Sequence, residues 1–145
     1  MKNNVLLALL LFSCAVGFAQ KEITWNDLSK VSFVDKYFPN YGEHFLYPTF
    51  SSSVKALEGK KVSITGYFLN IDPKGKLYIL SKGPMSSCFF CGVGGPETAV
   101  EVVFTKKPIY RTDDIITVTG TLKLNSDDVE HFNYILTNSV AKVAN

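Results

Sequence analysis

Apolar and polar residues alternate with a period of two over 116–124. Ile116, Val118, Gly120, Leu122 and Leu124 fall on one side, and Thr117, Thr119, Thr121 and Lys123 on the other. Successive side chains of a strand point to opposite faces, so this pattern predicts a half-buried β-strand. The same alternation places Val62, Ile64, Gly66 and Phe68 opposite Ser63, Thr65 and Tyr67. Asp72, Pro73, Lys74 and Gly75 then read as a turn, and 77–80 as the returning strand of a hairpin. Ala99–Phe104 gives a third strand with Val100, Val102 and Phe104 together, opposite Glu101. A polar connection over 106–113 leads to the clear strand at 116–124. A turn at 125–128 follows it, and Phe132, Tyr134 and Leu136 mark a fifth strand. Gly66 and Gly120 sit inside strands, where glycine permits bends and bulges. The fold class expected is therefore mainly β. It is a small five-stranded OB-like antiparallel barrel over 59–145, with a small sandwich as the alternative. Closure removes exposed strand edges.

The lead-in, 20–58, reads differently. Thr24 stands three residues before Asp27, which is the spacing of a capping box, and Ile23 can pack on Leu28 as a hydrophobic staple. Leu28 and Val31 continue an apolar stripe with Trp25 beside it, which predicts a short N-terminal helix over 25–36. Pro39, Asn40 and Gly42 end it. A second helical turn is expected over 52–57, stopped by Gly59. Tyr37, Phe38, Tyr41, Phe45, Tyr47 and Phe50 crowd the same segment. They suit either an apolar plug over one barrel opening, the preferred reading, or a recognition patch.

The first residues change the compartment. Lys2 is followed by an apolar run over 5–12, too short to span a bilayer, and then by Gly17, Phe18 and Ala19. This is the pattern of a signal peptide, 1–19, cut before Gln20. Leu11, Phe12, Ser13 and Cys14 also resemble a lipobox, so lipoprotein anchoring through Cys14 is a second reading. Either way the mature chain is expected in the periplasm or cell envelope, with no transmembrane segment. Loss of Lys2 lowers the formal net charge from the +2 of the full sequence. A mature chain this close to neutral lacks the basic surface that nucleic-acid binding uses.

Of the three cysteines, Cys14 leaves with the signal, and Cys88 and Cys91 remain. They stand in "SSCFFCGVGGPE", just before the third strand. Three chemistries fit a CxxC pair. An exported chain can close a Cys88–Cys91 disulfide that stiffens the glycine-rich loop. Two thiolates can hold half of a tetrahedral zinc site, with His44, His131 and Glu97 as candidates for the other ligands. A thiol–disulfide redox pair is the third reading, although Gly92, Gly94, Gly95 and Pro96 leave no room for the long helix that activates a thioredoxin-like cysteine. Glu97 also suits backbone amides of that loop. No GxSxG, HExxH or phosphate-loop pattern is present. Asp113–Asp114 and Asp127–Asp128 match no calcium-loop spacing.

"FSSSVKALEGKKVSITGYF", "LYILSK" and "SSCFFCGVGGPETAVEV" together resemble an uncharacterised group of exported Bacteroidetes proteins. The group is similar in layout to a broader periplasmic family of unknown function with a barrel-like β core. The resemblance covers about 48–138. Its most specific part is Cys88, Cys91, Gly92, Pro96 and Glu97. It implies a barrel and, through the genomic surroundings of the broader family, a role in metal handling. The function expected is thus a non-enzymatic binding or structural module of the envelope, concerned with zinc homeostasis. The alternatives are a protein-interaction module with a structural disulfide that meets an envelope partner, and a thiol–disulfide redox protein.

Overall fold

Pairing of the alternating segments closes a barrel. In the computed structural model, residues 20–72 and 74–144 are described. The expected signal peptide, 1–19, and Cys14 lie outside them. Among the described residues, eight strands follow in order: β1 Lys21–Glu22, β2 Val31–Phe38, β3 Glu43–Phe50, β4 Lys61–Asp72, β5 Leu77–Ser81, β6 Ala99–Phe104, β7 Ile115–Leu124 and β8 Tyr134–Val143. Two four-residue helices interrupt them, α1 Trp25–Leu28 and α2 Ser52–Lys55. No helix among the described residues is long and apolar enough to cross a membrane.

The five strands β4 to β8 form the OB-like barrel that the alternation predicts. β4 pairs antiparallel with β5 along one edge (Phe68 opposite Leu80) and with β7 along the other (Ile64 opposite Val118). β5 pairs antiparallel with β6, and β7 with β8. The ring closes through β6 and β8, which run parallel, with Glu101 opposite Ile135 and Val102 opposite Leu136. The sheet is therefore mixed rather than antiparallel throughout. Direction dictates this: β6 is two reversals from β4 by way of β5, and β8 is two reversals from β4 by way of β7, so both run with β4.

Inward residues of every barrel strand meet in one core that includes Val62, Ile64, Phe68, Leu80, Val100, Val118, Leu122 and Leu136. Ile23, Leu28, Phe50, Val54 and Leu57 of the lead-in join the same cluster. Gly66 has a packing reason. A Cβ there would lie 2.6 Å from the Ser81 carbonyl and 2.8 Å from the Trp25 ring. Its absence lets Trp25 lie close to β4 and donate from Nε1 to the Thr65 carbonyl over 2.8 Å.

The lead-in departs from expectation. The capping box forms: Asp27 N–H donates to Thr24 Oγ1, and Thr24 N–H donates to Asp27 Oδ2 over 2.9 Å. The Thr24 donors and, less strongly, Lys30 hold the Asp27 carboxyl below the usual carboxylate range. The helix nevertheless stops after Leu28, and the residues expected to extend it to 36 are a strand. Val31 leaves the helical path to pair with Phe50, and β2 and β3 run antiparallel down to Phe38 opposite Glu43. Leu28 and Val31 share a helical spacing by coincidence of two neighbouring elements. The aromatic segment is thus a hairpin. Only its base closes the barrel, through Phe50 packed on Tyr134 with ring centroids 5.5 Å apart. The expected plug is one residue deep. Tyr37, Tyr41 and Leu46 stand exposed.

Candidate binding groove

The segment from 82 to 98 carries the CxxC pair across the outside of the barrel wall. Leu69, Ile79 and Ala99 face outward from β4, β5 and β6, and Cys88 packs among them in a second apolar cluster. The outer face of the second and third barrel strands and the loop between the last two are the usual ligand surface of an OB barrel. Here the chain's own loop sits on that face, so the surface left open is displaced toward the 125–133 loop and the hairpin.

Two short 3-10 turns, Met85–Ser87 and Phe89–Cys91, set the cysteines. Gly92 ends the second at a left-handed φ of 75° and donates its N–H to the Phe89 carbonyl over 2.9 Å. Both cysteines are free thiols in this structure, Cys88 buried and Cys91 exposed. Both sulfurs donate to one acceptor, the Met85 carbonyl, over 3.2 Å from Cys88 and 3.1 Å from Cys91. The expected disulfide is not closed here.

The zinc expectation is corrected. Among the described residues, no group of three or more His, Cys, Asp or Glu side chains is placed to hold a metal ion. The five proposed ligands do not converge: Cys88 and Cys91 share the Met85 carbonyl, and the histidines are engaged elsewhere. His44, on β3, has Nδ1 2.9 Å from Asp35 Oδ2. His131 has Nδ1 2.9 Å and 3.0 Å from the two oxygens of Glu101. Glu97 lies in the turn before β6, its carboxylate against Gly95. Glu101 thus holds the His131 imidazole by hydrogen bonding, while His44 stands between Asp35 and the Tyr37 ring, whose centroid is 5.2 Å from its own.

His44 and His131 do meet in one place. Both line a groove of ≈ 430 Å³ between the hairpin and the 125–133 loop, with Phe38, Phe45, Phe89 and Phe132 among its walls. Asn125 shapes the loop side. Its Nδ2 donates to the carbonyls of Asp128, His131 and Phe132, and its Oδ1 accepts from Asp128 N–H. Glu101 fastens the loop to the barrel, because it also accepts from Phe132 N–H over 3.2 Å. Phe132 in turn packs edge-on against Phe89, 6.5 Å between centroids. Lys36 crosses from the hairpin to the loop, 3.8 Å from Asp127.

Glu101 is the residue that sequence reasoning passed over. Alternation puts it on the outer face with Ile79, its pairing partner, yet it is only 7% exposed because the 125–133 loop covers it. A lone charge inside the run AVEVVF is the signal that could have found it, since a buried carboxylate needs hydrogen-bond donors.

No family model matches the chain, and no curated protein gives a significant match. The reading of the groove therefore stands on its own chemistry: aromatic rings, carboxylates and the edge of a strand.

Proposed function

We propose that the chain is an exported, non-enzymatic module that binds another protein of the cell envelope through the groove between β3 and the 125–133 loop. The signal-like segment at 5–12 supports export. The observation that carries the binding reading is the hairpin. Among the described residues, β2 and β3 pair only with each other, so β3 leaves one backbone edge open beside the groove. Val34, Tyr37, Tyr41 and Leu46 are each about half exposed on the same hairpin. By the register, Tyr37 and Leu46 share one face of the hairpin, and exposed apolar residues next to an open edge are a feature proteins ordinarily blunt unless it is used.

The test is site-specific photocrosslinking in intact cells. A photoreactive residue replacing Leu46 is expected to give a discrete adduct with an envelope protein. The same residue replacing Ile109, which is 89% exposed and away from the groove lining, is expected to give none. Identical adducts from both positions, or none from Leu46, would remove the proposal.

A further inference from the structure

We infer that the occupant of this groove is an extended, basic peptide segment that adds to β3 as a third strand. The inference rests on the proposed function and names the partner's chemistry. Three consecutive residues, His44, Phe45 and Leu46, line the groove. Neighbouring side chains of a strand face opposite sides. A cavity touching all three runs along the strand's edge rather than over one face. In an antiparallel pair, alternate residues aim their N–H and C=O groups away from the partner strand. β3 thus presents a row of backbone donors and acceptors to the groove, which is the geometry of strand addition.

Charge selects the sequence of the added strand. No Lys or Arg lines the groove, whereas Asp128 and Glu130 do. Behind the two lining histidines stand two more carboxylates, Asp35 and Glu101. The hairpin already seats one cation of its own. Lys36 Nζ lies 3.7 Å from the Tyr47 ring centroid, 5.2 Å from that of Phe38, and 3.8 Å from Asp127. An aromatic face beside a carboxylate attracts an ammonium by the ring quadrupole and by Coulomb attraction together. Phe45, Asp128 and Glu130 line the same groove and offer a visiting Lys or Arg the same two kinds of group. An acidic peptide, a nucleic acid or an anionic lipid surface would instead meet carboxylates without a lining cation.

The test uses the mature chain and three synthetic octapeptides read by fluorescence anisotropy at low salt. One alternates lysine with valine, one alternates glutamate with valine, and one is the lysine peptide methylated on alternate backbone nitrogens. The lysine peptide is expected to bind at least tenfold more tightly than either of the others, and the D128N/E130Q pair to weaken it by about tenfold. Both substitutions keep a hydrogen-bonding oxygen, so the 125–133 loop retains its acceptors. Equal affinity of the methylated peptide would overturn strand addition, and equal affinity of the glutamate peptide would overturn the charge preference. If the Leu46 crosslink persists while the peptides show no discrimination, the partner-binding reading survives and this inference falls. Loss of both removes both.

Discussion

Replacing Tyr134 by Phe tests how the lead-in is tied to the barrel, and it does so at two ends of the pH scale. Tyr134 is fully buried, and its hydroxyl donates to the Leu28 carbonyl over 2.7 Å, joining the start of β8 to the end of α1. The phenol titrates well above its ordinary range, first because burial disfavours the phenolate and second because the Glu97 carboxylate repels it. Tyr134→Phe keeps the ring and its packing on Phe50, and removes one bond. The net worth of a buried hydrogen bond, with its acceptor left behind, is about 1–2 kcal/mol. In a domain of this size that lowers Tm by roughly 4–8 °C.

The second consequence has the opposite sign. A group whose folded pKa is raised contributes stability that is fully present below its unfolded value, about 10 for tyrosine, and is lost as pH rises toward the folded value. Wild type should therefore lose about 1.4 kcal/mol per pH unit above pH 10 from this residue alone, and the Phe variant none of it. The two stabilities should converge about one unit above pH 10 and cross beyond. Urea unfolding followed by far-UV circular dichroism at pH 7.5, 10 and 11 measures both effects. Curves that stay parallel from pH 7.5 to 11 would refute the burial argument. A difference under about 0.3 kcal/mol at pH 7.5 would show that the bond to Leu28 contributes little.

Gly120→Ala should destabilise the barrel by about 1–3 kcal/mol, read as a lower urea midpoint, because a Cβ there collides with Ser139 Oγ and comes within 2.9 Å of the Thr137 carbonyl. A midpoint unchanged from wild type would mean the β7–β8 register absorbs the methyl. In the reduced mature chain, a thiol reagent should modify exposed Cys91 at least tenfold faster than buried Cys88, with both reacting equally in urea. Equal native rates would place Cys88 outside the apolar cluster.

The barrel was legible because each of its strands has one face in the core. Ile116, Val118 and Leu122 are buried while their threonine neighbours are partly exposed, so the alternation in the sequence is the alternation of burial. The hairpin was not legible for the converse reason. Val34, Tyr37 and Leu46 are apolar yet exposed, so hydrophobic periodicity carries no record of which way β2 and β3 face. What pins β2 is its pairing with β3, Val31 to Phe50, which local spacing does not encode. The cysteine pair was visible as a motif, but the group that holds both sulfurs is a backbone carbonyl, and any residue at position 85 supplies one. His44 and His131 were singled out individually, and they do share a site. Their partners, Asp35 and Glu101, decide what they can do there. A histidine whose Nδ1 is held by a carboxylate presents its other edge to a visitor. Glu101 thereby links barrel to groove: both its oxygens meet the His131 imidazole, one of them, Oε2, also holds Phe132 N–H, and Phe132 leans on Phe89. The barrel wall, the 125–133 loop and the cysteine loop are thus one connected support for the groove, built around a carboxylate that alternation alone placed only on the outer face of the barrel.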